Sequence, residues 1–296
     1  MSYSSESRRE GYYISHNSQG FHRIAYSDWG PDDGKIVICV HGLTGNGHDF
    51  DWLAHSLAQD GYRAIAVDLP GRGRSDFLPD PNDYNYNQYI ADLTALLAHL
   101  DITEEKSIDW IGVSLGGLLG LRMAALKNSP IDRLILNDIG PEVPQTALDF
   151  IAEYISKTYR FKNMGEMESF MRETRGATWG PITDEQWHAM AENNARATDD
   201  GFLTYAYDPQ IAHVFNIEPI GDLDFWPLWD AMTQQCFVIR GANSVIFRKP
   251  TAEQMNERGP GALGRMNYIE FEGCGHVPSL MAPYQIDVIR NWLKNS

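Results

Sequence analysis

Ser114 stands between Gly112 and the pair Gly116–Gly117 in the stretch IDWIGVSLGGLLGLRMAAL, residues 108–126. Ile108–Ile111 reads as a buried strand and Leu115–Leu126 as an apolar helix, so the serine falls on the turn between them. A Gly-x-Ser-x-Gly turn of this kind forces the serine into a strained backbone conformation, and neighbours lacking a Cβ avoid the resulting clashes. The hydroxyl then projects above the sheet edge while the N-terminus of the following helix points at it. Positive partial charge at that terminus, delivered by the Leu115 amide, suits a developing oxyanion.

A serine hydroxyl is a poor nucleophile until a base takes its proton. The chain has nine histidines. Two of them, His41 in "VHGLTGN" and His276 in "GCGHVPSL", directly follow strand-like runs. His16, His22, His48, His55, His99, His188 and His213 read as surface or packing residues.

The elements that must position these groups alternate along the chain. "KIVICVHG" (35–42), "RAIAVDLPG" (63–71), "DRLILNDIGP" (132–141), "QCFVIRGA" (235–242) and "NYIEFEG" (267–273) read as further strands. Helical patterns lie between them. In "YNQYIADLTALLAHLD" (86–101) the residues Ile90, Leu93, Leu96, Leu97 and Leu100 form one apolar stripe, and a closing helix is expected from Pro283 to Leu293. Strands alternating with helices predict an α/β fold with a mostly parallel central sheet flanked by helices on both faces. From Glu142 to about Asp230 the rhythm breaks, with no convincing strand and many aromatic residues between Phe150 and Trp229. This stretch reads as a helical cap (142–230) inserted between two parts of a core (1–141 and 231–296). Most of its aromatics are expected to pack with one another. A cap at the strand C-terminal edge is placed to cover a ligand site there.

Four motifs in order, "VHGLTGN" (40–46), "DLPGRGRSD" (68–76), "GVSLGG" (112–117) and "GCGHVPSL" (273–280), resemble those of the α/β-hydrolase fold superfamily, and of bacterial esterase-like members with a cap after the sixth strand. The resemblance covers nearly the whole chain. It implies that Ser114 is the nucleophile and His276 the base. It makes His41 a structural residue of the oxyanion loop, with the Leu43 amide as second donor beside that of Leu115. Arg72 and Arg74 are expected to brace loops.

The third triad member is where this chain departs from the superfamily. The usual acid follows the seventh strand, yet "RGANSVIF" (240–247) places Val245 where relatives commonly carry aspartate, and no carboxylate occurs between Arg240 and Thr251. Some members take the acid from the end of the sixth strand, which points to Asp138 in "LNDIGP". Asn243 or Ser244 orienting His276 without charge is a second solution, and a disabled triad a third.

The formal net charge of −16 repels nucleic acid and anionic membrane surfaces, so a small-molecule substrate is the expected partner. No run approaches the ~20 apolar residues of a membrane span. The polar stretch "MSYSSESRREGYY" lacks the apolar core of a signal peptide, and three cysteines (Cys39, Cys236, Cys274) argue for reduced thiols and a cytoplasmic setting. No Cys/His cluster has metal spacing and "GRGR" is not a nucleotide loop, so neither metal nor cofactor is implied. These readings predict a serine hydrolase, carboxylesterase-like, acting on a small to medium and largely apolar ester. Carbon–carbon bond hydrolysis of a ring-cleavage dienoate and ligand binding without catalysis stay open.

Overall fold

The computed structural model, which describes residues 7–103, 106–217 and 221–296, joins eight strands into one sheet. They are β1 (Arg8–Asn17), β2 (Gly20–Trp29), β3 (Ile36–Val40), β4 (Arg63–Val67), β5 (Ile108–Val113), β6 (Ile131–Asn137), β7 (Gln235–Gly241) and β8 (Met266–Phe271). Their order across the sheet is β1-β2-β4-β3-β5-β6-β7-β8. From β4 to β8 all neighbours are parallel, whereas β1–β2 and β2–β4 are antiparallel. The first six residues of the polar N-terminal stretch lie outside the described residues.

Successive side chains of a strand face opposite sides, and here that alternation sorts the core into two layers. In β3, Ile36, Ile38 and Val40 belong to one apolar cluster while Val37 and Cys39 belong to the other. The second layer is closed by α1 (Asp51–Gln59) and by the closing helix through Leu53, Leu57, Ile286, Ile289 and Leu293. The first is closed by α2 (Tyr86–His99) and α3 (Leu115–Ala124) through Leu93, Leu96, Leu118 and Leu121. Each such burial contributes about 1.5–3 kcal/mol, enough to hold helices on a sheet whatever their own propensity. The α2 stripe expected from the sequence faces inward, and Asn85 caps the helix by accepting from the amides of Asn87 and Gln88.

Between β6 and β7 run α4 (Gln145–Ile155), α5 (Met164–Arg175), α6 (Asp184–Asn194), α7 (His213–Ile217) and α8 (Trp226–Ala231). The expectation of no strand in this insertion needs correcting. Glu142–Val143 pairs with Leu223–Asp224, and Ala195–Ala197 pairs with Leu203–Tyr205, both antiparallel. Pairs of two or three residues are too short to show a periodic pattern in sequence. The insertion's buried residues, among them Met171, Trp187 and Tyr205, continue the first core layer without a break. After β7 come α9 (Lys249–Glu257) and α10 (Pro283–Asn295), the latter the expected closing helix.

The β1–β2 hairpin was not legible in the sequence. Tyr12, Ile14 and Phe21 are exposed on it, so its apolar alternation does not track burial. Cys39, Cys236 and Cys274 are all buried free thiols. Among the described residues, no helix is long and apolar enough to cross a membrane.

Candidate active site

Four loops leave the C-terminal ends of β3, β5, β7 and β8 toward a shared cavity of about 370 Å³. The β5 loop is the sharpest. Ser114 has φ 49° and ψ −111°, a strained backbone in which its amide donates to the Asn137 carbonyl at 3.1 Å. Two glycines make that turn feasible. A Cβ on Gly112 would collide with the backbone of Gly116, and one on Gly116 with the carbonyl of Val40. Trp110 Nε1 donates to the Gly116 carbonyl at 3.0 Å and braces the turn from within the core.

His276 lies in the loop after β8. Its Nε2 is 3.2 Å from Ser114 Oγ, and its Nδ1 is 2.6 Å from Asp138 Oδ2. A carboxylate only accepts, so the proton of the neutral ring sits on Nδ1 and leaves Nε2 able to receive the serine proton. Asp138 is fully buried at the end of β6 and has φ 55°. Its Oδ1 accepts from the Gly241 amide at 2.8 Å, and its Oδ2 accepts from Ser244 Oγ at 2.6 Å as well as from the histidine. Of the alternatives for the third member, Ser244 therefore bonds the carboxylate and not the imidazole. The Asn243 backbone amide donates to the Cys274 carbonyl at 2.8 Å, and among the described residues no hydrogen bond joins its side chain to His276. Val245 is exposed and lines the cavity.

The β3 loop is pinned by His41. Its ring is fully buried, with Nε2 accepting from the Leu69 amide at 2.9 Å and Nδ1 donating to the Gly42 carbonyl at 2.6 Å. Burial holds this imidazole neutral, its pKa lowered to about 3, with Arg72 adding to the effect. Gly42 C=O and Leu43 N–H belong to one trans peptide and point in opposite directions. Fixing the carbonyl therefore aims the Leu43 amide. Arg72 Nε donates to the Leu43 carbonyl at 2.9 Å and fixes the next peptide, so Arg72 does brace a loop. Arg74 does likewise, bonding Asp68. Among the described residues neither the Leu43 nor the Leu115 amide meets a protein acceptor. Leu115 opens α3, where the first amides have no intrahelical acceptor.

The His276 loop is tied to the insertion as well. The Gly275 amide donates to Thr178 O at 2.7 Å, and the Ser279 amide to Trp179 O at 3.0 Å. No sequence signal announced these ties, because backbone bonds leave no mark on residue type. Among the described residues Phe150, Tyr154 and Trp179 are the insertion's aromatics that reach the cavity, and most of the others pack in the first core layer. Among the described residues no group of three or more His, Cys, Asp or Glu is gathered to hold a metal.

The fold is shared with known proteins. The family model of the alpha/beta hydrolase fold matches residues 35–282. This chain is an alpha/beta hydrolase. It is 35% identical over 293 residues to a 3-hydroxybutyrate-oligomer hydrolase of Cupriavidus necator, covering 96% of this chain and 97% of that protein. An esterase of Mycobacterium tuberculosis is 27% identical over 78% of this chain and 73% of its own length. Among solved structures, an alpha/beta hydrolase from Novosphingobium aromaticivorans superposes with a TM-score of 0.85 at 33% identity. It covers 98% of this chain and 99% of that one. These alpha/beta-hydrolase relatives support ester hydrolysis.

Proposed function

We propose that this alpha/beta hydrolase cleaves short oligoesters of hydroxy acids by a serine mechanism. The observation that carries the mechanism is the continuous line of contacts from Asp138 Oδ2 through His276 to Ser114 Oγ. Ser114 Oγ attacks the ester carbonyl as His276 Nε2 takes its proton. The carbonyl oxygen, now an anion, is held by the amides of Leu43 and Leu115. As the tetrahedral species collapses, the C–O bond breaks and His276 hands the proton to the departing alkoxide. Water then attacks the acyl-serine, again deprotonated by His276, and the freed acid leaves with Ser114 restored. Asp138 stays ionised throughout and stabilises the imidazolium.

The substrate class rests on the hydroxybutyrate-oligomer hydrolase, whose similarity spans both core and insertion. A cavity of about 370 Å³ walled largely by apolar side chains such as Leu43, Ile151 and Val277 suits a short aliphatic ester. Residues 142–230 act as its cap. The test is release of 3-hydroxybutyrate from the linear dimer, with Ser114→Ala as control and a fluorophosphonate probe to report the nucleophile. Absence of labelling at Ser114 refutes the serine mechanism. Labelling without dimer cleavage refutes the substrate class. Carbon–carbon hydrolysis draws on one observation, the presence of a cation, Arg175, in the cavity wall. A ring-cleavage dienoate in the same panel separates the two reactions.

A further inference from the structure

Arg175, the last residue of α5, is a buried cation on the wall of the cavity that Ser114 shares. Other buried arginines of this chain have acceptors. Arg133 grips both carboxylate oxygens of Asp109, Arg240 meets Glu270, and Arg72 is spent on backbone carbonyls and Tyr89. Among the described residues Arg175 forms no ion pair. Its one side-chain hydrogen bond is a long contact of 3.4 Å, Nη2 donating to Tyr154 Oη. A guanidinium carries five N–H donors, so most of those of Arg175 are left facing the cavity it lines and not a protein acceptor.

The geometry around the group says what is missing. The guanidinium carbon lies 4.9 Å from the ring centroid of Trp179 and 5.2 Å from that of Tyr205. With rings over it, the donors in its plane are what remain for an acceptor. A planar carboxylate is the acceptor that fits such a fork with two parallel bonds. Asp49 also lines the cavity and its field reaches Arg175, but no ion pair forms between them. Burial pushes the Asp49 carboxyl up to about 6, and its Oδ2 accepts from the Asn46 amide.

We infer that Arg175 is the subsite for a substrate carboxylate, so that the enzyme selects esters ending in a free acid over neutral ones. This rests on the ester-hydrolase reading and narrows it. In a linear hydroxy-acid dimer the free carboxylate belongs to the departing hydroxy acid, one short spacer from the ester that is cut. Arg175 would hold that end while Ser114 meets the carbonyl.

The experiment compares kcat/KM for the 3-hydroxybutyrate dimer with that for its primary carboxamide, which has the same shape and no charge. Wild type should prefer the acid by about 10- to 100-fold, the scale of a lost hydrogen-bonded charge contact. Arg175→Gln should bring the ratio near unity, and Arg175→Lys should keep part of it. A variant that folds poorly lowers both rates together and leaves the ratio readable. Equal wild-type rates on acid and amide overturn the inference while leaving the esterase reading intact, as does a preference that survives Arg175→Gln. Failure to cleave either compound overturns it too, and the fluorophosphonate label then tells whether the serine mechanism falls with it.

Discussion

Ser244 Oγ donates to the same Asp138 oxygen that receives the His276 Nδ1 proton, both at 2.6 Å. The β7 loop, usual home of the acid in this superfamily, here contributes a hydroxyl that holds a carboxylate supplied by β6. The Gly241 amide secures the other oxygen at 2.8 Å. Three donors on one buried carboxylate fix its rotamer and hold it facing the imidazole.

Asp138→Asn should therefore lower kcat by about 10³- to 10⁴-fold, because an amide permits the wrong histidine tautomer. Steady-state hydrolysis of a responsive ester measures it. Val245→Asp in the wild-type background should give no gain, since Nδ1 already has its acceptor and Val245 is exposed on the cavity wall. A sharp rise in that variant would mean that Asp138 is not the working acid.

Ser244→Ala removes one of the three donors while leaving the carboxylate in place. The expected loss in kcat is about 10- to 100-fold with KM little changed, the worth of one hydrogen bond to a charged group. An unchanged kcat would show that the other two donors suffice.

His41→Gln should lower kcat by about 10- to 100-fold without touching the nucleophile, through loss of aim in the Leu43 amide. A glutamine cannot span the Gly42 carbonyl and the Leu69 amide from the two sides of a rigid ring. Fluorophosphonate labelling of Ser114 should persist, slowed to a similar extent, because that reaction also develops charge on the oxyanion side.

The same residue makes stability depend on pH. His41 titrates near 6.5 in the unfolded chain and is held down to about 3 in the fold by burial. Between those values only the unfolded chain binds the proton, so this contribution is complete above 6.5. It is lost on acidification by about 1.4 kcal/mol per pH unit. Asp49 and Asp68, both pushed up to about 6 by burial, act in the opposite sense between 3.8 and 6. The difference between wild type and His41→Gln isolates the histidine. Urea unfolding should show the variant's deficit shrinking by about 2 kcal/mol from pH 7 to pH 5.

Gly116→Ala tests the turn itself. The added methyl would press on the Val40 carbonyl, where β3 and α3 meet backbone to backbone and neither can yield cheaply. A stability loss of about 3 kcal/mol or more is expected, read as a fall in the urea midpoint.

The local signals in the chain were strong where backbone sterics act over a few residues. The strand, the glycine-flanked turn and the helix around Ser114 could be read directly, because each depends on residues adjacent in sequence. The inner parallel strands were legible for the same reason, as short apolar runs buried on both faces. The β1–β2 hairpin escaped because several of its apolar residues face solvent. His276 followed from its turn and from the order of motifs. Local pattern could not decide between a carboxylate at 138 and a hydroxyl or amide at 243–244, since all three positions follow strands in plausible turns. Which of them stands against His276 was decided by folding, which lays β6 beside β7 and brings residues 138 positions apart within 2.6 Å. The same holds for Arg175, an unremarkable helix-end cation until the insertion packs it against Trp179 and Tyr205 on the cavity wall. Sequence determines which groups are available and how the chain turns at each. Only the tertiary structure determines which of them meet, because a contact across the sheet depends on every element packed in between.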